Sequence, residues 1–364
     1  MKNDRKKVIG VNWHHQDLAL NFWDERESKI SNDEEAIVEF GKSLDGDEVF
    51  AIETSTDHQF ETLLMGAGHK VFWIHTTTSR RNIEAILNDE KEITSDEFKR
   101  LKANAHKERE NNHSLCAYAI RRTFQLHPEL FFDCPPADPV ITGLMLLARD
   151  RLFIQDKLNS MNTHEIAIKK YGSGLCAPED IIERLDARSG ETNEIWEERK
   201  AEGDLELRKY FEEHKDHPII KAVYWGFFSQ YKHVQCLAVA LIIGETYDIR
   251  RFPDLGAYKM HCRLVPIFSE NGEKREFETG EFSRLKVQRN GRLKRAYGNL
   301  VGLGQAMSTG MLKRVNPDMW ERYESYREKY GETDYKHQPA MRARKAMATW
   351  ICKNVYRHWV KAVA

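Results

Sequence analysis

The stretch VIGVNWHHQDLALNF (Val8–Phe22) sets the first limit on what this chain can become. Val8, Gly10 and Asn12 share one parity, Ile9, Val11 and Trp13 the other, and both sets are largely apolar. After a short polar break a second apolar run extends from Leu18 to Phe22. The pattern predicts a β-hairpin whose first strand is almost wholly buried. Asn12 is the odd member, a neutral amide in that strand.

The rest of residues 1–135 alternates strand and helix. DEEAIVEFGKSL reads as an amphipathic helix with Asn32 or Asp33 as its N-cap. EVFAIETS follows as a buried strand, HQFETLLMGAG as a helix ending in glycine, and HKVFWIH as a further strand. This order predicts an α/β domain with a mixed sheet and helices packed on it. From Ile83 onward the pattern turns helical, through SLCAYAIRR, until CPPADP (Cys134–Pro139) marks a boundary. In residues 136–231, VITGLMLLARDRLFIQDKLNSM and EIWEERKAEGDLELRKYFEEHK read as two long helices around a bend. They form an antiparallel helical hairpin or coiled-coil arm, either an exposed spacer or an oligomerisation element. Residues 232–364 read as a mainly α-helical C-terminal domain.

At 364 residues the chain accommodates two or three such domains. Its six cysteines show no CxxC pair, which points to reduced thiols and away from zinc or disulfides. The basic start MKNDRKKVIG leads into an apolar run that breaks at Asn12 and His14, unlike a signal peptide. The longest apolar run, CLAVALIIG (Cys236–Gly244), is too short to cross a bilayer. The expectation is a soluble, cytoplasmic protein with no membrane partner. The formal net charge of −1 announces no nucleic acid, but the distribution does more. Glu179–Asp216 holds fourteen acids against seven Lys/Arg, whereas Tyr335–Ala364 holds seven Lys/Arg and no acid. SRLKVQRNGRLKR (Ser283–Arg295) is a second basic run. Interleaved with Tyr297, Trp350, Tyr356 and Trp359, these runs favour a phosphate-binding surface. One patch comprises Arg289, Arg292, Lys294 and Arg295; the other comprises Arg342, Arg344 and Lys345.

IGVNW followed by AIETSTDHQFETLLMGAGHKVFWI resembles the start of the insertion-sequence 110 family of bridge-RNA-guided transposases, relatives of the Piv invertases. The family pattern there is I-G-hydrophobic-D, then E-x-T/S-G ahead of L-L-x-x-G-H-x-V, then K-T-D-x-x-D-A-x-x-L-A. ETYDIRRFPDLGAYKMHCRLVP, QRNGRLKRAYGNL and RARKAMATWICKNVY are similar to its C-terminal motifs, in the same order. The resemblance implies a RuvC/RNase H-like domain at 1–135, a coiled-coil arm at 136–231 and a C-terminal transposase domain at 232–364. It also implies DNA and a structured noncoding RNA as partners, and a homodimer or homotetramer.

Family members carry four acids around two Mg²⁺ ions, hard cations that demand anionic oxygen ligands. Carried over position by position, the acids fall on Asn12, Glu53, Arg109 and Asn112, of which only Glu53 is a carboxylate. Arg109 cancels its charge, so no metal is expected to be held. Glu110 and Asp17 would need local rearrangement to substitute, and His14 and His15 cannot both face one pocket of an extended strand. The family's serine nucleophile falls on Asn271, with Ser269 two residues earlier. An amide cannot form the covalent phosphoserine of strand exchange. The expectation is therefore a nucleic-acid-binding descendant with catalysis lost, in which Arg109, Asn12 and Asn112 contact a backbone phosphate. The alternative is an active recombinase using a rearranged Mg²⁺ site, Glu53 and a displaced Ser269. A purely structural helical scaffold is a third class, and it predicts no bound nucleic acid.

Overall fold

The computed structural model describes residues 7–13, 17–54, 59–108, 113–174, 179–232, 234–262, 264, 291–300, 313–314, 316–331 and 339–364. The chain divides into two compact units, Met1–Ala137 and Asp138–Ala364.

The first unit is built on a mixed six-stranded sheet ordered β3-β2-β1-β4-β5-β6. Strand β1 (Lys7–Trp13) pairs antiparallel with β2 (Asp17–Asn21), and β2 with β3 (Glu27–Ser31). On its other side β1 runs parallel to β4 (Glu48–Glu53), which runs parallel to β5 (Lys70–Ile74). Strand β6 (Phe131–Asp133) closes that edge antiparallel to β5. Helix α1 (Glu34–Lys42) joins β3 to β4, and α2 (Gln59–Gly66) joins β4 to β5. After β5 come α3 (Thr76–Asn88), α4 (Glu90–Thr94), α5 (Asp96–Glu108) and α6 (His113–Leu126).

Burial on both faces explains why β1 shows no simple alternation. Ile9, Val11, Phe50, Ile52, Val71 and Trp73 pack on one side with Ile37 of α1 and Phe60 and Leu64 of α2. Val8, Val49, Ala51 and Ile74 pack on the other with residues of α3, α5 and α6. Gly10 belongs to this second face, where an added Cβ would lie 2.1 Å from the carbonyl oxygen of Ala117. Helix α6 thus rests directly on the backbone of β1. Of the two cap candidates, Asp33 caps α1, accepting from the Ala36 N–H at 2.9 Å.

Two strands escape sequence pattern. β3 (ESKIS) is a half-exposed edge with one apolar residue, and β6 is three residues long. The helical stretch expected from Ile83 begins earlier, at Thr76.

In the second unit α7 (Pro139–Gly174) and α8 (Glu179–Glu213) are the two long helices expected, and they run antiparallel. Tyr210 Oη donates to the Val140 carbonyl at 2.9 Å, and Arg151 forks onto Asp204 at 2.8 and 3.0 Å. Next come α9 (Pro218–Ile220), running into a π-helical turn at Lys221–Phe228, then α10 (Cys236–Thr246) and α11 (Leu255–His261). Among the described residues the remaining long helices are α12 (Gly291–Leu300), α13 (Pro317–Gly331) and α14 (Pro339–Val363). Helix α10 is buried from Leu237 to Thr246 and forms the centre of the unit. Ile141, Leu144, Ala148 and Leu152 of α7 and Leu207 and Phe211 of α8 belong to the same core as the C-terminal helices. Farther out the pair presents apolar side chains to solvent, Ile166 and Ile195 among them. Among the described residues no helix is long and apolar enough to cross a membrane.

Candidate functional site

Parallel pairing of β1 and β4 aligns Val11 with Ile52. The next residue on each strand is Asn12 and Glu53, so the two stand side by side at the carboxyl ends of adjacent strands. Val11 and Ile52 face α1 and α2. Alternation therefore turns Asn12 and Glu53 to the opposite face, toward α3 and α6.

Each meets a partner there. Oδ1 of Asn12 lies 2.7 Å from Nδ1 of His113, the first residue of α6. An amide oxygen only accepts, so the imidazole donates as its Nδ1–H form. Ser79 of α3, itself buried, donates its hydroxyl to Glu53 Oε1 at 2.7 Å. The glycine at position 10 brings α6 close enough for the first contact. An aspartate at position 12 could accept the same hydrogen bond.

Arg109 and Asn112, the other two positions carried over from the resemblance, lie outside the described residues, as do Asn271, Ser269 and Arg289. The described donors are one amide engaged by a histidine and one carboxylate engaged by a serine. That set does not fit a pair of Mg²⁺ ions, which require several anionic oxygens. No group of three or more His, Cys, Asp or Glu suited to a metal occurs among the described residues.

The two basic runs come together in the second unit. Arg292, Lys294 and Arg295 lie on α12, and Arg342, Arg344 and Lys345 on α14, which packs against α12. Burial, and next the charge of Lys294, hold the Lys345 ammonium below its ordinary range. The charges are not all equivalent. Arg292 bonds to Glu245 at 3.2 Å, and Arg295 bonds to Asp156 of α7 at 2.6 Å. Arg344 Nε is buried with no hydrogen-bond partner among the described residues.

Sequence reasoning passed over His113, Ser79, Arg149 and Glu245. For Glu245 a signal existed: it is the first charge after the apolar run Cys236–Gly244, in IIGETYD. A carboxylate folded in with such a run needs cations brought to it. For His113 and Ser79 no local pattern marks the pairing. No family model matches this chain and no curated protein matches it.

Proposed function

We propose that this chain descends from the insertion-sequence 110 type of transposase, and that it binds DNA and a structured RNA without two-metal cleavage chemistry. The observation that carries this reading is the placement of Asn12 and Glu53. The mixed sheet ordered β3-β2-β1-β4-β5-β6, in which β1 and β4 are parallel neighbours, supports this reading. In that arrangement the first two acids would stand at the ends of β1 and β4, where this chain has Asn12 and Glu53. The amide keeps its partner on α6, so the frame outlasts the charge. In the same reading α7 and α8 are the coiled-coil arm, which assembles a homodimer or homotetramer. The protein works in the cytoplasm, and the basic residues of α12 and α14 are its affinity surface.

The test uses the full chain purified from its host. Nucleic acid, including a discrete RNA, should copurify, and incubation with DNA and Mg²⁺ should give no cleavage or joining. Mg²⁺-dependent strand cleavage that disappears in Glu53→Gln would overturn the loss of catalysis and favour the active alternative with Ser269. A protein free of nucleic acid, with no affinity for DNA or RNA at physiological salt, would overturn the lineage reading and leave a structural scaffold.

A further inference from the structure

Glu245 closes the most buried helix of the second unit, and two guanidinium groups share its carboxylate. The residue before it explains how they arrive. A Cβ on Gly244 would lie 2.7 Å from Met145 Cα, so α7 crosses α10 almost backbone to backbone. One turn beyond Met145 is Arg149, whose Nε reaches Glu245 Oε1 at 2.8 Å and whose Nη2 lies 3.4 Å from Oε2. From α12, Arg292 Nη1 lies 3.2 Å from Oε1 and 3.5 Å from Oε2.

The Glu245 side chain is 4% exposed, so it must be paired to remain charged. One guanidinium suffices for that. With the second, the three side chains sum to a formal charge of +1, and the two arginine side chains are 37% and 50% exposed. Across α12 the same sign continues. At about 100° per residue, Arg292 and Lys294 flank the buried stripe of Leu293, Ala296 and Tyr297 on opposite sides, and Arg295, which is paired with Asp156 of α7, lies on the back between them. Lys294 lies on α12, which packs against α14, and is within electrostatic reach of Lys345. No described residue forms an ion pair with either lysine. Like charges held together in this way raise the energy of the unliganded protein, and an anion relieves it.

We propose that α7, α12 and α14 form a continuous cationic track for the phosphodiester backbone of a nucleic acid. Lys294 and Lys345 neutralise phosphates at one end, and Glu245 is a positioning residue that fixes Arg149 and Arg292 at the other. The track rests on the nucleic-acid reading above, adds Arg149 and Glu245 to it, and engages the backbone without reading sequence.

The test measures affinity of the full chain for a fluorescein-labelled DNA duplex of arbitrary sequence across a salt series. Lys294→Gln with Lys345→Gln should lower the slope of log K against log salt by about 1.8, and Arg149→Gln by about 0.9. Glu245→Gln should weaken binding although it removes a negative charge, because both guanidiniums lose their anchor. Tighter binding by Glu245→Gln, or unchanged slopes in the lysine pair and in Arg149→Gln, would sink the track. Arg149→Gln alters a partly exposed side chain and leaves Arg292 on Glu245, so it reports even if Glu245→Gln fails to fold. Wild-type protein that binds neither duplex nor an RNA hairpin refutes the nucleic-acid reading itself. Wild-type binding with variants indistinguishable from it refutes the track alone.

Discussion

Gly10 occupies a position where one methyl group decides whether the first unit can close. The carbonyl of Ala117 stands where a Cβ would be, and the Arg121 Cβ would be 2.8 Å from it. Neither atom is the movable end of a long side chain. Gly10→Ala should therefore lift α6 off β1 and cost on the order of 3 kcal/mol, the upper range for overpacking. Urea denaturation followed by a probe in the first unit measures this, and a loss under about 0.5 kcal/mol would refute the close approach. The same displacement would separate Asn12 from His113. Asn12 and Glu53 were singled out as a candidate pair by the motif order of the family resemblance, on two segments whose pattern predicts strands. Their partners were not. His113 is 101 residues from Asn12, and Ser79 is 26 from Glu53, so each meeting depends on where a helix lands on the sheet.

At the scale of elements, Asp138 governs how α7 begins. Its carboxylate accepts from the Val140 and Ile141 N–H groups at 3.0 and 3.2 Å and from His217 Nε2 at 2.8 Å. Burial alone would raise its pKa, but the His217 hydrogen bond and the two amides outweigh burial and hold it below the usual carboxylate range. A depressed folded value means the contribution is complete above the unfolded pKa of about 4 and fades as pH falls through the folded one. Asp138→Ala should cost about 1–2 kcal/mol near pH 7. The difference from wild type should shrink steadily below about pH 4; a constant difference down to pH 2 would mean the charge is irrelevant. Elements of this kind were readable where pattern is strong: β1, β2, β4, β5, α1, α2, α7 and α8 all follow from period and turn residues. β3 and β6 were not, since a polar edge strand and a three-residue strand are stabilised by their neighbours in the sheet, which sequence period does not report.

In the whole molecule, the core of the second unit joins residues widely separated along the chain. Ile141 through Leu264 supply one part of it, and Leu293 through Trp359 the other. A chain divided between residues 265 and 290 keeps every described element intact. Neither piece can then satisfy its apolar surface alone, because α10 would lose α12 and α14 would lose both α11 and the π-helical turn. The expected behaviour is fragment complementation. Expressed separately, the C-terminal piece should aggregate or remain unfolded; expressed together, the two should copurify as a soluble complex. A C-terminal piece that melts cooperatively as a monomer would contradict this. If the pieces do assemble, the covalent link between α11 and α12 is dispensable for packing, and new sequence can be inserted or termini created there without dismantling the fold.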